Sequence, residues 1–363
     1  MKLLIVTNYL GNKGGLGRYS KEVHKALSKL PIEIKVASEE NILLPVFKKG
    51  KFTIIKNIFI NILRIRKYAK EVDVVHAHDG WPYGIYAYFA VIFTRKKLYI
   101  TGVGTYTIAP LTKGIRSFIT RLAYSRAHAI FCISDYIKNR LLELHPSINA
   151  ITVFMGTTEM SVPSKDILIN NMKSLGVVNY SPIFLTVGDI KQRKGQLDSL
   201  KAITLLKNKY PRFKYVMIGN GDDEYYVNQI KSFARINGIE DNVLIISNMY
   251  DDSILATLYA SCDIFMLNSN NDGNHFEGFG LVLLEAAQFG RPVIGSKNCG
   301  IENALRNCYN GFLTRQGDHK DISSKIEKIL RYKKDSFGNN SEEFYKNFSW
   351  TKTADTYFRH YSK

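Results

Sequence analysis

The sequence predicts an α/β protein with two doubly wound parallel-sheet domains, and three observations lead to this prediction. Short apolar runs alternate with stretches of helical spacing along the chain, which is the pattern of repeated β-α-β units. The pattern occurs twice, and 363 residues suit two domains of about 150–200 residues each. Hydrophobic residues at 45% and charged residues at 23% exclude a mainly disordered, collagenous or coiled-coil architecture.

The first domain is predicted to span residues 1–165. Its apolar runs have the character of strands buried in a parallel sheet: Lys2–Thr7, Ile32–Ala37, Val72–His76, Leu98–Gly102, Ala129–Ile133 and Ala150–Phe154. Between the first two runs, Gly17–Leu30 carries apolar residues at the spacing of a helix.

The second domain is predicted to span residues 166–348. The weakly patterned polar segment 157–181, which overlaps its start, is interpreted as the linker. Its predicted strands are Ile183–Val187, Lys214–Ile218, Val243–Ile246, Ile264–Leu267 and Pro292–Gly295. Its predicted helices are Gln196–Lys209, Asp223–Asn237, Ser253–Ala260 and Gly280–Gly290. The tail, 349–363, has helical spacing over Trp350–Tyr361, and we expect it to pack back on the first domain.

Cysteine use and apolar segments indicate a cytoplasmic protein. Four scattered cysteines are too few for a disulfide scaffold. The start of the chain, Met1–Leu10, is interrupted by Asn8 and is interpreted as a strand rather than a signal peptide. The longest mostly apolar stretch, Trp81–Thr94, is too short to cross a bilayer.

The net charge of +18 is concentrated in one half of the chain. Residues 1–165 hold 25 basic and 10 acidic side chains, a balance of +15, whereas residues 166–363 hold 25 and 22, a balance of +3. Such a charged half attracts an anionic partner, either phospholipid or nucleic acid. Since no known nucleic-acid-binding module is present, we expect a membrane surface and no nucleic acid.

A basic segment within the first half interleaves cations with apolar residues. Its apolar positions have helical spacing, and we expect their face to be directed at the core: Ile55, Ile58, Phe59, Ile62 and Leu63. The flanking cations are predicted to contact anionic lipid, where each is worth about 1 kcal/mol. Those assigned to the membrane are Lys48, Lys49, Lys51 and Lys56. The alternative is that the cations only solvate an amphipathic helix.

Ligands of doubly wound folds bind beyond the carboxyl ends of the strands, and three loops there have unusual sequences. The first is the glycine-rich loop at 11–17, which precedes a helix and suits close approach of a ligand to the backbone. Its glycine spacing does not match a dinucleotide fingerprint, so a nicotinamide site is disfavoured. A flexible turn is the alternative.

The second loop, Val187–Gly195, follows the first strand of the second domain and carries three cations: Lys191, Arg193 and Lys194. Arginine offers a planar fork and lysine a point charge, both of which suit a diphosphate. Taken alone, a basic turn is more often solvated surface.

The third loop runs from His275 into an apolar helix through Gly278-Phe-Gly280. Amide groups near Phe279–Leu281 are predicted to face a phosphate. Glu285 is predicted to accept hydrogen bonds from a ribose and Glu277 from a sugar. The alternative is a helix with one glutamate as its cap and the other in an ion pair.

Metal binding through a pair of aspartates is not expected. No Asp-x-Asp pair follows a strand, and the adjacent pairs Asp222–Asp223 and Asp251–Asp252 are typical of helix N-termini.

Taken together, these motifs resemble the family-four retaining glycosyltransferases of the GT-B fold (glycosyl transferases group 1), whose two Rossmann-like domains face across a cleft. The resemblance covers almost the whole chain. The matching segments are Gly14–Gly15, Asp73–Asp79, Phe131–Tyr136, Thr186–Gly188 with Lys194–Gly195, Gly219–Gly221, Glu277 with Glu285, Gly290–Val293 and Asn310–Leu313.

The resemblance implies a nucleotide-sugar donor, with UDP or GDP, held mainly by the second domain, and an acceptor bound by the first domain. Glu285 would hold the ribose and Glu277 the transferred sugar. Arg193, Lys194 and backbone groups of the loops would hold the diphosphate. The backbone positions in the second domain are Gly188, Gly278, Phe279, Gly280 and Leu281. The first domain would close over the diphosphate with Gly15 and Leu16. Retaining transfer without a cofactor or metal is implied, because cations and helix ends neutralise the leaving diphosphate.

The sequence departs from the family pattern at two positions. Asp189 stands where the family usually has an arginine, and Val103 stands where a histidine often contacts the donor sugar. His76 and His78 lie at a strand end on one face. His78 is the better candidate for a catalytic histidine, with a structural role as the alternative.

The function expected from this reasoning is retaining transfer of a sugar to a glycan or lipid-linked acceptor at the inner face of the cell membrane. One alternative is a GT-B sugar-nucleotide epimerase. Another is a nucleotide-sugar binder that has lost turnover, which the residues at 189 and 103 motivate.

Overall fold

The chain forms two compact units, described here from a computed structural model. The structure describes all residues except 12–13, 46–50, 113 and 249–250, and it gives only the backbone of residues 51–52 and 332–335. The first unit comprises Met1–Gly156 and Phe348–Lys363, and the second comprises Thr157–Asn347. The second unit is therefore an insertion in the first.

A parallel sheet organises the first unit, with the strand order β2-β1-β3-β4-β5-β6 among the described residues. The strands are β1 (Lys2–Val6), β2 (Glu33–Ala37), β3 (Val74–His78), β4 (Lys97–Gly102), β5 (Ala129–Cys132) and β6 (Ala150–Thr152). The central strands are apolar and fully buried, as at Leu4, Val75 and Ile100, because helices cover both faces of such a sheet.

Helices connect these strands. They are α1 (Gly14–Leu27), α2 (Lys51–Ala69), α3 (Ile85–Val91), α4 (Thr105–Ile108), α5 (Gly114–Arg126) and α6 (Asp135–Leu144). Helix α1 begins within the glycine-rich segment that was predicted as a loop up to residue 17. Gly17 is buried against the ring of Tyr9. The absence of a side chain at this position lets the start of α1 pack against that ring.

Helix α2 is rotated relative to the prediction: of the five residues expected to face the core, three are exposed, and Ile58 and Ile62 are half-buried. Ile55, Phe59 and Leu63 are 68%, 63% and 52% exposed, so the expectation that they face the core is wrong. The buried row holds Asn57 and Asn61, whose side-chain amides donate to the carbonyl oxygens of Pro45 and Leu44 at 2.8 and 2.9 Å. These hydrogen bonds satisfy buried polar groups and fix the rotation of the helix.

The second unit contains a second parallel sheet, with the order β12-β11-β10-β7-β8-β9 in the part of the chain that the structure describes. Its strands are β7 (Ile183–Val187), β8 (Lys214–Gly219), β9 (Val243–Ser247), β10 (Ile264–Leu267), β11 (Val293–Ser296) and β12 (Gly311–Thr314). Strand β12 was not predicted as a strand, although its segment was quoted as a motif.

The helices of the second unit are α7 (Lys165–Ser174), α8 (Gln196–Thr204), α9 (Glu224–Ile236), α10 (Asp252–Ser261), α11 (Leu281–Gln288), α12 (Ile301–Ala304), α13 (His319–Lys328) and α14 (Lys334–Tyr345). Asp223 and Asp251 accept hydrogen bonds from first-turn amides of α9 and α10, which confirms the reading of both aspartate pairs as helix N-terminal charges.

Helix α7 corrects the predicted linker. The segment 157–181 belongs to the second unit, and the domain boundary predicted between residues 165 and 166 falls at the first residue of α7. Ser164 caps this helix by accepting from the amide of Ile167. None of the helix residues is fully buried, and its half-buried positions are Leu168, Ile169, Asn171 and Met172. A polar residue stands among them, so the apolar periodicity by which a helix is recognised in a sequence is weak.

The tail forms α15 (Trp350–Tyr361) and belongs to the first unit, where it packs on α1. The hydroxyls of Tyr19 and Tyr357 lie 2.7 Å apart, and Nδ1 of His76 lies 2.5 Å from the hydroxyl of Tyr361. Buried hydrogen bonds therefore join the last helix to α1 and β3.

Candidate active site

The sheet order of the second unit reverses direction between β7 and β10. The chain leaves β7 toward β8 on one side, and β10 lies on the other, which makes this the switch point where doubly wound folds bind ligands. The loop after β7 and the loop after β10 touch there. Gly195 has φ +70°, and a Cβ on it would lie 1.9 Å from the carbonyl oxygen of Asn268, so only glycine allows this approach.

An ion cluster at this point joins the two loops. Lys194 Nζ lies 2.7 Å and Arg193 Nη1 3.4 Å from Oε2 of Glu277, and the hydroxyl of Ser269 donates to the same oxygen at 3.2 Å. The side chains of Arg193, Lys194 and Glu277 are 22%, 13% and 14% exposed. Water therefore screens this cluster less than it screens a surface ion pair.

The cations determine the ionisation of Glu277. Burial by itself would raise the pKa of this carboxyl, but Lys194 and Arg193 outweigh burial and lower the pKa to about 2. Glu277 is therefore ionised at neutral pH. The cluster has two positive charges for one negative charge, which leaves it with positive charge to offer an anionic ligand.

The loop after β10 continues into α11 through Gly280, which has φ +84°. A left-handed residue at this position turns the chain sharply into the helix, and Gly280 has no side chain to cap the amides of the first turn. Those amides, which include that of Leu281, carry the partial positive charge of a helix N-terminus. Gly278 and Leu281 are half-buried, whereas Phe279 and Gly280 are buried.

Glu285 lies on α11 and is only 1% exposed. The hydroxyl of Tyr259, on α10, donates a 2.8 Å hydrogen bond to its Oε2. Neither Tyr259 nor Ser269 was predicted as a site residue. No spacing pattern marks them, because Tyr259 reaches Glu285 from a separate helix, whereas Ser269 reaches Glu277 across the irregular loop after β10.

Asp189, the departure from the family pattern, does not join the ion cluster. Its side chain is 52% exposed and pairs with Lys191 at 2.6 Å. Lys191 thus pairs with Asp189, whereas Arg193 and Lys194 pair with Glu277. Gly188, which precedes Asp189, lies close to the Lys194 side chain.

The other predicted site residues belong to the first unit. Gly15 is exposed and Leu16 half-buried in the first turn of α1. His78 is fully buried at the end of β3, with Nδ1 2.8 Å from the hydroxyl of Ser20. Burial lowers the pKa of His78 to about 3, with a smaller contribution from His24, so the ring is neutral. Its catalytic role stays a prediction.

The predicted membrane cations lie partly outside the described residues. Lys48 and Lys49 belong to the segment 46–50, and the side chain of Lys51 is likewise not described. Lys56 is exposed on α2. Where the structure describes the chain, no helix is long and apolar enough to cross a membrane, and no group of three histidine, cysteine or acidic side chains is placed to hold a metal ion.

Several solved structures share this fold. A glycosyltransferase from Rickettsia africae superimposes with a TM-score of 0.82, at 21% identity over 99% of this chain and 97% of its own. HepE of Anabaena in complex with UDP gives 0.80, at 17% identity over 100% of both chains. The architecture is that of the GT-B glycosyltransferases.

Family models narrow the class. The model described as Glycosyltransferase Family 4 matches residues 13–154, and the model described as Glycosyl transferases group 1 matches residues 169–347. The chain belongs to the group 1 glycosyltransferases of the GT-B fold.

Two relatives match over most of their length. An uncharacterized glycosyltransferase of Methanocaldococcus jannaschii is 26% identical, over 97% of this chain and 95% of its own. The N-acetyl-alpha-D-glucosaminyl L-malate synthase of Bacillus anthracis is 24% identical, over 91% of this chain and 88% of its own. These similarities support a sugar transferase.

Proposed function

We propose that this glycosyltransferase moves a sugar from a nucleotide-sugar donor, with retention of anomeric configuration, to a glycan or lipid-linked acceptor at the cytoplasmic membrane face. The observation that carries the proposal is the cluster of Lys194, Arg193 and Glu277 at the switch point of the second sheet. Two partly buried cations suit a diphosphate. HepE, which shares the fold, has been solved with UDP-glucose.

In this proposal, Lys194 and Arg193 exchange the carboxylate of Glu277 for the diphosphate when the donor binds. Both cations contact the carboxylate of Glu277, and a diphosphate offers more charge and more acceptor oxygens than one carboxylate. Lys194 and Arg193 therefore transfer hydrogen bonds to the diphosphate. Glu277, kept ionised, accepts hydrogen bonds from hydroxyls of the transferred sugar, and Glu285 accepts them from the ribose.

The chemical step is electrostatic. The bond between the anomeric carbon and the diphosphate oxygen breaks, and the acceptor hydroxyl oxygen bonds to that carbon on the same face. The hydroxyl proton passes to the departing diphosphate. Lys194, Arg193 and the first amides of α11 stabilise the negative charge that develops on the leaving group, which lowers the barrier.

We also propose that transfer needs no metal, because Lys194 and Arg193 neutralise the negative charge of the leaving diphosphate. We expect turnover in excess EDTA to equal turnover without EDTA. Activity that disappears in EDTA and returns with Mn²⁺ would contradict this part of the proposal.

Placement at the membrane is supported by α2 and by charge. The exposed row Ile55, Phe59 and Leu63 lies beside the exposed cation Lys56. The first unit holds 27 basic and 10 acidic side chains, whereas the second holds 23 and 22. An apolar row beside cations suits an anionic lipid surface. A relative in Campylobacter jejuni, 22% identical, is named as an N-acetylgalactosaminyltransferase acting on a diphospho-undecaprenol-linked sugar.

The proposal is tested by screening nucleotide sugars. UDP-glucose, UDP-N-acetylglucosamine, GDP-mannose and their free nucleotides are compared by thermal shift, and the best donor is then assayed for sugar transfer to lipid-linked and soluble acceptors. The anomeric configuration of the product is read by NMR. We expect one nucleotide class to raise Tm and the product to retain the donor's configuration. No shift with any nucleotide, or an inverted product, would overturn the proposal.

A further inference from the structure

Two three-residue segments of the second unit are held together end to end: 193–195, after β7, and 268–270, after β10. The amide of Asn270 donates to the carbonyl oxygen of Arg193 at 2.8 Å. At the other end, Gly195 lies so close to the carbonyl oxygen of Asn268 that a Cβ on the glycine would be 1.9 Å from it. Both neighbours of Lys194 are therefore anchored to the loop after β10.

The middle residues of the two segments contact the same atom. Lys194 Nζ lies 2.7 Å and the hydroxyl of Ser269 3.2 Å from Oε2 of Glu277. The geometry of the ion cluster thus depends on how the two segments are seated on each other. That dependence matters for a reaction, because a misplacement of about 1 Å can cost about 10²-fold in rate.

The side chain of Asn268 extends this seating into the core. It is only 1% exposed. Its Nδ2 donates to the hydroxyl oxygen of Ser199, on α8, at 2.8 Å, and its Oδ1 accepts from the hydroxyl of Thr314, on β12, at 3.2 Å. The Ser199 hydroxyl in turn donates to the carbonyl oxygen of Gly195 at 3.0 Å. One directed chain of hydrogen bonds therefore runs from β12, past the end of β10, to the glycine that follows Lys194.

The stability of the core does not require an amide at position 268. In Asn268→Leu both hydroxyls would keep a partner, because Thr314 also faces the carbonyl oxygen of Gly295 at 3.2 Å and Ser199 faces that of Gly195. Replacing a buried polar group by an apolar one of similar shape costs little when no partner is left unbonded. A fully bonded amide, by contrast, allows a single arrangement of the elements that it joins.

We propose that Asn268 is a positioning residue for sugar transfer, which acts through Lys194 and Glu277 and not on the substrate itself. Its hydrogen bond to Ser199 fixes the loop after β7 against the loop after β10. The inference rests on the proposed function, because it assigns a role in the reaction to a residue behind the ion cluster. With the two loops fixed, Lys194 exchanges the carboxylate for the diphosphate by rotation of its side chain alone.

The test measures kcat and the KM for the best donor in Asn268→Leu and Ser199→Ala, both in the full chain. We expect each variant to lose about tenfold in kcat and to keep its KM within about twofold, because the cations remain in the site but stabilise the departing charge less well. The double variant should be within about twofold of Asn268→Leu, since both changes break the same bond. Losses that multiply in the double variant would contradict the proposal.

The matched control is Thr314→Val, which breaks the chain on the side away from Lys194 and leaves the bond between Asn268 and Ser199 intact. Urea unfolding of all variants measures the cost in stability, which we expect to be similar for Thr314→Val and Ser199→Ala. The kcat of Thr314→Val should stay within about twofold of that of the parent. If kcat falls in step with stability in every variant, Asn268 has only a structural role. Ser199→Ala removes a single hydroxyl and decides the question if Asn268→Leu does not fold.

A second readout separates this inference from the proposed function. Crystal structures without ligand give the distance between Lys194 Nζ and Glu277 Oε2, which is 2.7 Å here. We expect it to lengthen by about 1 Å in Asn268→Leu and Ser199→Ala and to stay unchanged in Thr314→Val. An unchanged distance in the first two variants refutes the positioning role whether or not the parent transfers sugar. A parent that transfers sugar from no donor refutes the proposed function, and the distances then decide the role of Asn268.

Discussion

Lys194 is the side chain on which the catalytic proposal depends most. It makes the shorter of the two ion-pair contacts to Glu277, at 2.7 Å. We expect Lys194→Met to lower kcat by about 10²–10³, as for the loss of one group that stabilises transition-state charge. Nucleotide affinity should change less, because the charge on the diphosphate grows as it departs. Steady-state kinetics with the best donor measure both parameters.

The matched control for this prediction is Lys191→Met in the same loop. Lys191 pairs with the exposed Asp189, so its removal should leave kcat within about twofold, as for a solvent-screened pair. Equal losses in the two variants would mean that the loop acts only through its total charge, and the assignment of Lys194 would be wrong.

Glu285 gives a prediction about the ribose. If its carboxylate accepts from the ribose hydroxyls, the parent should bind a nucleoside diphosphate more tightly than the 2′-deoxy analogue. Glu285→Gln should reduce that difference, because a charged acceptor is replaced by a neutral one. Calorimetry with UDP and 2′-deoxy-UDP, or the corresponding guanine pair, measures it.

Tyr259→Phe removes the hydroxyl that donates to Glu285 at 2.8 Å. We expect it to reduce the difference in affinity between the two nucleotides, but by less than Glu285→Gln does. Tyr309→Phe is the control, because Tyr309 hydrogen-bonds Glu343 elsewhere in the same unit. A Glu285→Gln variant that discriminates the two nucleotides as well as the parent does would place the ribose somewhere else.

At the level of single residues, the sequence was informative where a motif follows a strand directly. Lys194 and Glu277 were predicted at one site, because both follow strands whose carboxyl ends share an edge of the sheet. Ser269 and Tyr259 could not be predicted, since their contacts depend on side-chain packing. The polar partners of Glu277 and Glu285 are thus properties of the folded unit.

Among the secondary-structure elements, helix α2 carries the clearest prediction. Phe59 is 63% exposed at the centre of its apolar row. We expect Phe59→Ser to weaken binding to anionic vesicles, because an exposed aromatic side chain no longer inserts between lipids. Co-sedimentation with vesicles that contain phosphatidylglycerol, and with neutral vesicles, measures the effect.

Ile236→Ser is the matched control, since Ile236 is 83% exposed at the end of α9 in the nearly neutral second unit. Binding of the parent should also weaken as salt rises, because screening acts over about 10 Å at 0.1 M. If Phe59→Ser and Ile236→Ser bind vesicles equally, or if the parent binds neutral vesicles as well as anionic ones, the α2 row has no membrane role.

The elements differ in how well their patterns predicted them. The central strands were predicted closely, because a buried parallel strand is a continuous apolar run. The rotation of α2 was not, because two buried asparagines occupy the row toward the core while isoleucine, phenylalanine and leucine face water. Helix α7 buries none of its residues fully, and Asn171 stands in its half-buried row, so its periodic signal is weak.

The molecule as a whole should lose stability in mild acid. His76 and His78 are fully buried, and burial lowers the pKa of both, to about 3 for His78. Below a pH of about 6.5 the unfolded chain binds protons that the folded chain does not. Each histidine therefore removes about 1.4 kcal/mol of stability per pH unit as the pH falls from 6.5 toward the folded pKa.

Asp79 acts in the opposite direction, because burial raises its folded pKa to about 6 and the folded state binds its proton first. Two histidines outweigh one aspartate, so we expect a net loss between pH 6 and pH 4. Urea unfolding at several pH values measures it, and His78→Gln should flatten the slope. An unchanged slope in His78→Gln would show that His78 does not contribute to the acid sensitivity.

The insertion of one unit within the other sets an order for synthesis on the ribosome. The residues that form α15 are translated only after the whole of 157–347. The first unit therefore lacks its last helix until all residues of the second unit have been synthesised. A premature stop codon just after residue 347 would therefore damage the unit that was translated first. The nascent chain would expose the surface that Tyr357 and Tyr361 cover, beside Tyr19 and His76, and that surface is where a chaperone would bind.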